Sequence, residues 1–232
     1  MLKLGVPSKG RLMEKTFDWF GKRGVVLRKA GSDREYSGEV DGIDGLELIL
    51  LSAGEIPREL AAGRIHLGVT GSDLVREKLA NWESQAHELT GLGFGGADLV
   101  IAVPQSWVDV DTVDDLDAVA AAFRKVHGHR LRIATKYHRL VREFLRHEGV
   151  ADYALVDSQG ATEGTVKNET AEAIADITST GENLQTVGPQ GLKVLSDGLI
   201  HASQATLFRG RREAWSADQR ETLRRLEFVL GL

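Results

Sequence analysis

Apolar positions in this chain alternate between short continuous runs and stripes spaced three or four residues apart. Leu2–Pro7 reads as a short strand stopped by Pro7, and Met13, Phe17 and Phe20 then recur at helical spacing between Arg11 and Lys22. Leu46–Leu51 is a nearly continuous apolar run, as expected of a buried strand. Glu55–Ala62 follows as a helix, with Pro57 in its first turn, where a missing N–H costs nothing. Ile65–Thr70 is a strand, and Gly71-Ser72-Asp73 opens another helix with good N-capping chemistry.

The pattern then repeats. Ala97–Val103 is an apolar strand ended by Pro104, and Thr112–Val126 carries Val113, Leu116, Val119, Ala120 and Phe123 on one helical face. Arg130–Thr135 is a strand. Tyr137, Leu140, Val141, Phe144 and Leu145 form an amphipathic stripe that Gly149 terminates. Tyr153–Val156 and Ala173–Ile177 read as strands, Leu199–Phe208 as a strand returning to the first sheet, and Ser216–Leu230 as a closing helix with Leu223, Leu226 and Leu230 inward. Such alternation predicts an α/β fold with mainly parallel sheets. The glycine-rich run Gly91–Gly96 marks one crossing between lobes, and a second is expected near Gly181–Gly191. The expected organisation is a discontinuous first lobe, 1–96 plus 184–232, and a second lobe, 97–183.

Composition narrows the chemistry. The 232 residues are 42% hydrophobic and 27% charged, an ordinary globular balance, with a formal net charge of −5. An acidic chain gains nothing from general attraction to nucleic acid or anionic membranes, so any anion it binds needs a local positive field. Cysteine is absent, which removes thiol catalysis, disulfides and thiolate metal sites. The opening residues lack an apolar stretch of signal-peptide length, and no segment reaches the roughly 20 apolar residues of a membrane helix. The expected location is the cytoplasm. His138 and His147 have no metal-ligand spacing, and no metal site built from protein groups is expected.

Four strand-to-helix junctions carry candidate chemistry. Ser8-Lys9-Gly10-Arg11 joins a helix N-terminus, which attracts phosphate, to two full positive charges; the same residues also suit a plain turn with two solvated cations. Asp176-Ile177-Thr178-Ser179-Thr180-Gly181-Glu182-Asn183 follows an apolar strand. Its amides and hydroxyls suit a nest around a phosphate, with Asp176 placed for ribose hydroxyls. A capped turn uses the same residue types. Gly71, Ser72 and Asp73 offer a base or ribose contact or merely a helix cap, and Lys136 is a cation at a strand end.

Taken in order, LKLGVPSKGRL, EIPRELAAGRIHLGVTGSDL, LGFGGADLVIAVP, RIATKYHRLVREFL and TEGTVKNETAEAIADITSTGENL resemble successive blocks of the ATP phosphoribosyltransferase family, from about Leu2 to Phe208. The resemblance implies two lobes of the type II periplasmic-binding-protein kind, with substrates in the cleft. It implies transfer of a 5-phosphoribosyl group from phosphoribosyl pyrophosphate to N1 of the ATP adenine, the first step of histidine biosynthesis, with Mg²⁺ on substrate phosphates. Lys9, Arg11 and Asp176 become the catalytic candidates. Thr178, Ser179, Thr180, Gly181, Glu182 and Asn183 take the 5-phosphate, with Asp176 and Glu163 on the ribose. Lys9, Gly10, Arg11, Gly71, Ser72, Asp73 and Lys136 face ATP or pyrophosphate.

Two features depart from the family pattern. Asn183 stands where the family loop commonly carries Thr, and Gln185–Gln190 looks longer than the usual turn, with Pro189 limiting any helix after the loop. The stretch after Phe208 suffices for about one helix, so the resemblance is to the short form. That form works with a separate regulatory subunit resembling histidyl-tRNA synthetase, as a homodimer within a hetero-oligomer. Two other readings share the architecture: a solute-binding module without catalysis, and a ligand-sensing domain of a transcription factor. The missing signal peptide disfavours the first, and the lack of a basic helix-turn-helix segment disfavours the second.

Overall fold

The computed structural model describes residues 1–30, 37–158, 162, 164–179, 191–211 and 215–232, with Ser37 and Ser179 described by backbone alone. The chain forms two units, Met1–Gly95 with Gln204–Leu232, and Gly96–Ser203.

In the first unit, β1 (Leu2–Pro7) leads into α1 (Gly10–Gly21), β2 (Val26–Lys29), β3 (Ser37–Asp41) and β4 (Leu46–Leu51). Then come α2 (Ile56–Ala62), β5 (Leu67–Gly71), α3 (Ser72–Lys78), a short 3₁₀ turn (Trp82–Ser84) and β6 (Ala86–Gly91). The seven-stranded sheet has the order β2-β3-β4-β1-β5-β12-β6, where β12 is Ala205–Gly210. Its centre is parallel: Leu2 to Pro7 lie beside Leu46 to Leu51, and Leu4 lies beside Leu67.

Alternate residues of these strands feed two cores. One joins Leu4, Leu48, Leu67 and Leu207 to Phe20 of α1 and to Leu223, Leu226 and Leu230 of α7 (Ala217–Leu230). The other joins Phe208 to Ile56 and Leu60 of α2 and Val75 of α3. Helix α2 comes so close to β5 that a Cβ at Gly68 would lie 2.6 Å from Ile56 Cγ2, so only glycine allows this approach. Ser216 and Gln219 form a capping box at the start of α7.

The second unit contains β7 (Ala97–Pro104), α4 (Val113–His127), β8 (Leu131–Thr135), α5 (His138–His147), β9 (Tyr153–Asp157), α6 (Gly164–Lys167), β10 (Ala173–Ser179) and β11 (Leu192–Ser203). The five-stranded order is β11-β7-β10-β8-β9. Strands β8, β9 and β10 are parallel, whereas β7 runs antiparallel to both β10 and β11. Val113, Leu116 and Ala120 of α4 and Val141 and Leu145 of α5 are buried. A Thr112–Asp115 capping box starts α4, and the carboxylate of Asp197, at an irregularity in β11, accepts from Val113 N at 2.8 Å.

Two expectations change. Both sheets are mixed rather than mainly parallel, because β3 pairs antiparallel with its neighbours and β12 and β11 return antiparallel. The run read as one strand, Leu199–Phe208, is the end of β11 in the second sheet followed by β12 in the first. Its apolar alternation barely breaks at Gln204, so periodicity cannot reveal the change of sheet. The crossings accordingly fall at Gly95/Gly96 and Ser203/Gln204, and residues 192–203 group with the second unit.

Candidate functional site

In open α/β sheets, ligands gather outside the carboxyl ends of parallel strands. In the first unit these ends are Pro7, Leu51 and Gly71, with Pro7 directly beside Leu51. Strand β12 begins at the same edge, Ala205 opposite Gly71, and β6 ends there, Gly91 opposite Thr206.

The turn after β1 is anchored by Ser8 N donating to Leu51 O at 2.7 Å. Lys9 is the N-cap of α1 in extended conformation, without a side-chain cap, and the first turn contains no acid. Gly10 takes φ +75°, the left-handed region that glycine enters freely. Lys9 and Arg11 are exposed. The first-turn N–H groups therefore keep their capacity for an anion, and the two cations reinforce it.

Beside this turn, the Glu55 carboxylate accepts from Ser52 Oγ (2.7 Å) and Ser52 N (3.1 Å), and these bonds hold it below the ordinary glutamate range. Thr70 Oγ1 donates to Ala53 O at 2.8 Å and ties the β4 and β5 ends together. Ser72 and Asp73 are buried in the first turn of α3, and Ser72 N donates to Gln204 O at 3.1 Å. Gln204 Oε1 in turn accepts from Gly93 N at 3.1 Å.

The second unit has its own carboxyl edge, where Thr135 lies beside Asp157 on β9 and Ala175 on β10. Lys136 is exposed, and Thr135 Oγ1 accepts from Tyr137 N at 2.9 Å. Past Ala175, β10 pairs only with β7: Asp176 lies opposite Val100 and Thr178 opposite Asp98. Asp176 is half-buried, and its Oδ1 accepts from Ile177 N at 2.8 Å. Nearby, His138 Nε2 and Asp157 Oδ1 are 2.6 Å apart, and Ser158 Oγ bonds Thr162 Oγ1 at 2.8 Å. This edge presents carboxylates and hydroxyls, which suit a polyol such as a ribose; the first unit's edge presents cations and amides, which suit phosphates.

The predicted site residues that the structure describes fall on two strand edges. Lys9, Gly10, Arg11, Gly71, Ser72 and Asp73 share one edge of the first sheet, and Lys136, Asp176 and Thr178 share one edge of the second. Ser179 ends β10; Glu163, Thr180, Gly181, Glu182 and Asn183 lie outside the described residues. Sequence reasoning did not single out Asp98 or Asp157, which strand register sets opposite Thr178 and Thr135, nor the bonds that Glu55 and Gln204 make to Ser52 and Ser72 at turns. Among the described residues no group of three or more His, Asp or Glu side chains is arranged to hold a metal ion, and no helix is long and apolar enough to cross a membrane.

Comparison with known proteins bears on what these edges do. The family model described as ATP phosphoribosyltransferase matches residues 52–228. A curated ATP phosphoribosyltransferase from Cereibacter sphaeroides is 75% identical over 215 residues, spanning 93% of this chain and 90% of that protein. Among solved structures, the ATP phosphoribosyl transferase (HisG:HisZ) complex from Thermotoga maritima matches with a TM-score of 0.71 at 21% identity, covering 100% of this chain and 99% of that one. The substrate-binding protein of an amino acid ABC transporter matches with a TM-score of 0.50 at 12% identity, over 99% of this chain and 91% of that one, a likeness of fold alone.

Proposed function

The chain belongs to the ATP phosphoribosyltransferase family, and from that premise we propose how its strand-edge residues divide the work. The reaction moves a 5-phosphoribosyl group from phosphoribosyl pyrophosphate to ATP and opens histidine biosynthesis, so the chain is a pentosyltransferase.

Adenine N1 is a neutral lone-pair nucleophile and needs no strong base. The barrier lies in bringing N1 to the ribose C1 and in stabilising a departing pyrophosphate beside an electron-poor sugar carbon. In this reading Lys9, Arg11 and the free amides at the start of α1 receive pyrophosphate or ATP phosphates. Asp176 holds ribose hydroxyls and offsets positive charge at the sugar, with Glu163 assisting. The backbone and hydroxyls from Thr178 to Asn183 cup the 5-phosphate. Gly71, Ser72, Asp73 and Lys136 serve ATP, with Ser72 and Asp73 acting from buried positions.

The family uses a divalent metal. The reading assigns Mg²⁺ to substrate phosphates, where it neutralises charge on the leaving group. The observation that carries the reading is the start of α1: exposed Lys9 and Arg11 flank a left-handed Gly10, with no side-chain cap and no acid in the first turn.

Lys9→Ala tests it, since an exposed side chain contributes little to the core. The expected outcome is a fall in kcat/KM of about 100-fold, roughly 2.7 kcal/mol of transition-state stabilisation, with an unchanged denaturation midpoint. Wild-type kinetics would remove Lys9 from the mechanism.

The reading also assigns the chain to the cytoplasm and to a hetero-oligomer, as a homodimer with a histidyl-tRNA-synthetase-like regulatory subunit. The HisG:HisZ composition of the Thermotoga maritima complex supports the part of this reading that pairs the chain with a second kind of subunit.

A further inference from the structure

At the opposite end of the first unit's sheet lies a pocket that the proposed reaction does not use. Arg209 at the end of β12 sits opposite Leu67, the first residue of β5, and Gly210 N donates to His66 O at 2.8 Å. This is the amino end of β5, whereas Gly71 and the phosphate-seeking turns lie at its carboxyl end. The pocket has a volume of about 740 Å³ and is lined by Arg209, Arg211, Arg220, Trp215, Ser84 and Leu223. That is the size range of small-molecule sites rather than of a single ion.

Every charged side chain among its described lining residues is a guanidinium. Arg209 and Arg211 are two apart along an extended segment and so project to the same side. Arg220 joins them from the first turn of α7, where a cation opposes the helix dipole. Among the described residues none of the three guanidinium groups has a carboxylate partner, and Arg211 Nε donates to Ala86 O at 3.4 Å. Glu221, one residue beyond Arg220, pairs instead with Arg224. In a chain of net charge −5, three guanidinium groups that no described carboxylate pairs repel one another around one cavity, and an anion relieves that repulsion.

The remaining wall is flat and apolar. Trp215 is partly buried and packs edge-to-face on His66, with ring centroids 5.2 Å apart and planes at 88°, and Leu223 is buried behind the pocket. A ring held by a neighbour is a ready stacking surface for another ring.

We propose that this pocket is a second ligand site, built for a nucleoside polyphosphate: guanidinium groups for the phosphates and Trp215 for the base. Calorimetric titration of the full chain with GTP tests it. The expected result is one GTP per chain, binding at least tenfold more weakly to the double variant R209Q/R220Q and unchanged for Lys9→Ala. Turnover of R209Q/R220Q without GTP stays at the wild-type level, and inorganic triphosphate binds more weakly than GTP. The proposal falls if GTP does not bind the wild type, binds it and R209Q/R220Q equally, or loses affinity only with Lys9→Ala; it also falls if triphosphate binds as well as GTP. If circular dichroism finds R209Q/R220Q unfolded, R220Q alone decides, because Arg220 is exposed on α7 and supports no core contact.

Discussion

Replacing Gly10 with alanine isolates the conformational demand of the first turn of α1. A methyl group built at Gly10 meets nothing within 4 Å, so packing contributes nothing to the cost. What remains is φ +75°, where an L-residue costs about 1–2 kcal/mol. The same helix supplies the control. Gly21, its last residue, also has open space around a built Cβ but lacks a positive φ, so Gly21→Ala should stabilise by roughly 0.5–1 kcal/mol. The two variants therefore differ by about 1.5–3 kcal/mol with opposite signs. Urea denaturation followed by circular dichroism reads this as a midpoint separation of roughly 0.5–1 M. Any relaxation of the strained turn would re-aim Lys9 and Arg11, so Gly10→Ala should also raise the KM for a phosphate-bearing substrate while Gly21→Ala leaves it alone. Equal stability of the two variants would refute the left-handed turn and with it the aim of the cations.

Two further outcomes follow from other parts of the molecule. His66 Nδ1 accepts from Lys3 N at 2.9 Å, which requires the ring nitrogen unprotonated; burial first, then Lys3 and the N-terminus, lower its pKa. A histidine depressed in the folded state contributes stability that is present above its unfolded value and lost as pH falls through the lower folded value. Denaturation midpoints should therefore decline below about pH 6.5, and the decline should shrink in His66→Asn; an identical pH profile would contradict it. Steady-state assays of the isolated chain should give low turnover and little inhibition by histidine, both rising when the regulatory subunit is added; strong histidine inhibition of the chain alone would exclude the two-component arrangement.

Much of the fold was legible because burial leaves a period in the sequence. The continuous apolar runs of β1 and β4 and the stripe of Leu223, Leu226 and Leu230 fall where the chain is covered. Strand β2 was not legible, since Leu27 is its only buried residue and Arg28 and Lys29 are exposed. Strand β6 was equally obscure, with Ala86 alone fully buried. At the candidate site, Lys9 and Arg11 announced themselves as cations at a helix start. Asp98 did not, because it is near β10 only through the antiparallel register of β7. Glu55 was visible as a helix-start residue, but its bond to Ser52 depends on how the β4 turn closes.

The division of labour between the two strand edges is tested most directly at Asp176. Initial rates of phosphoribosyl-ATP formation by Asp176→Ala, with phosphoribosyl pyrophosphate varied at saturating ATP, should give kcat/KM at least about 100-fold below wild type, at an unchanged urea midpoint. Wild-type kcat/KM in that variant would mean that the carboxylate beyond Ala175 does not serve the ribose.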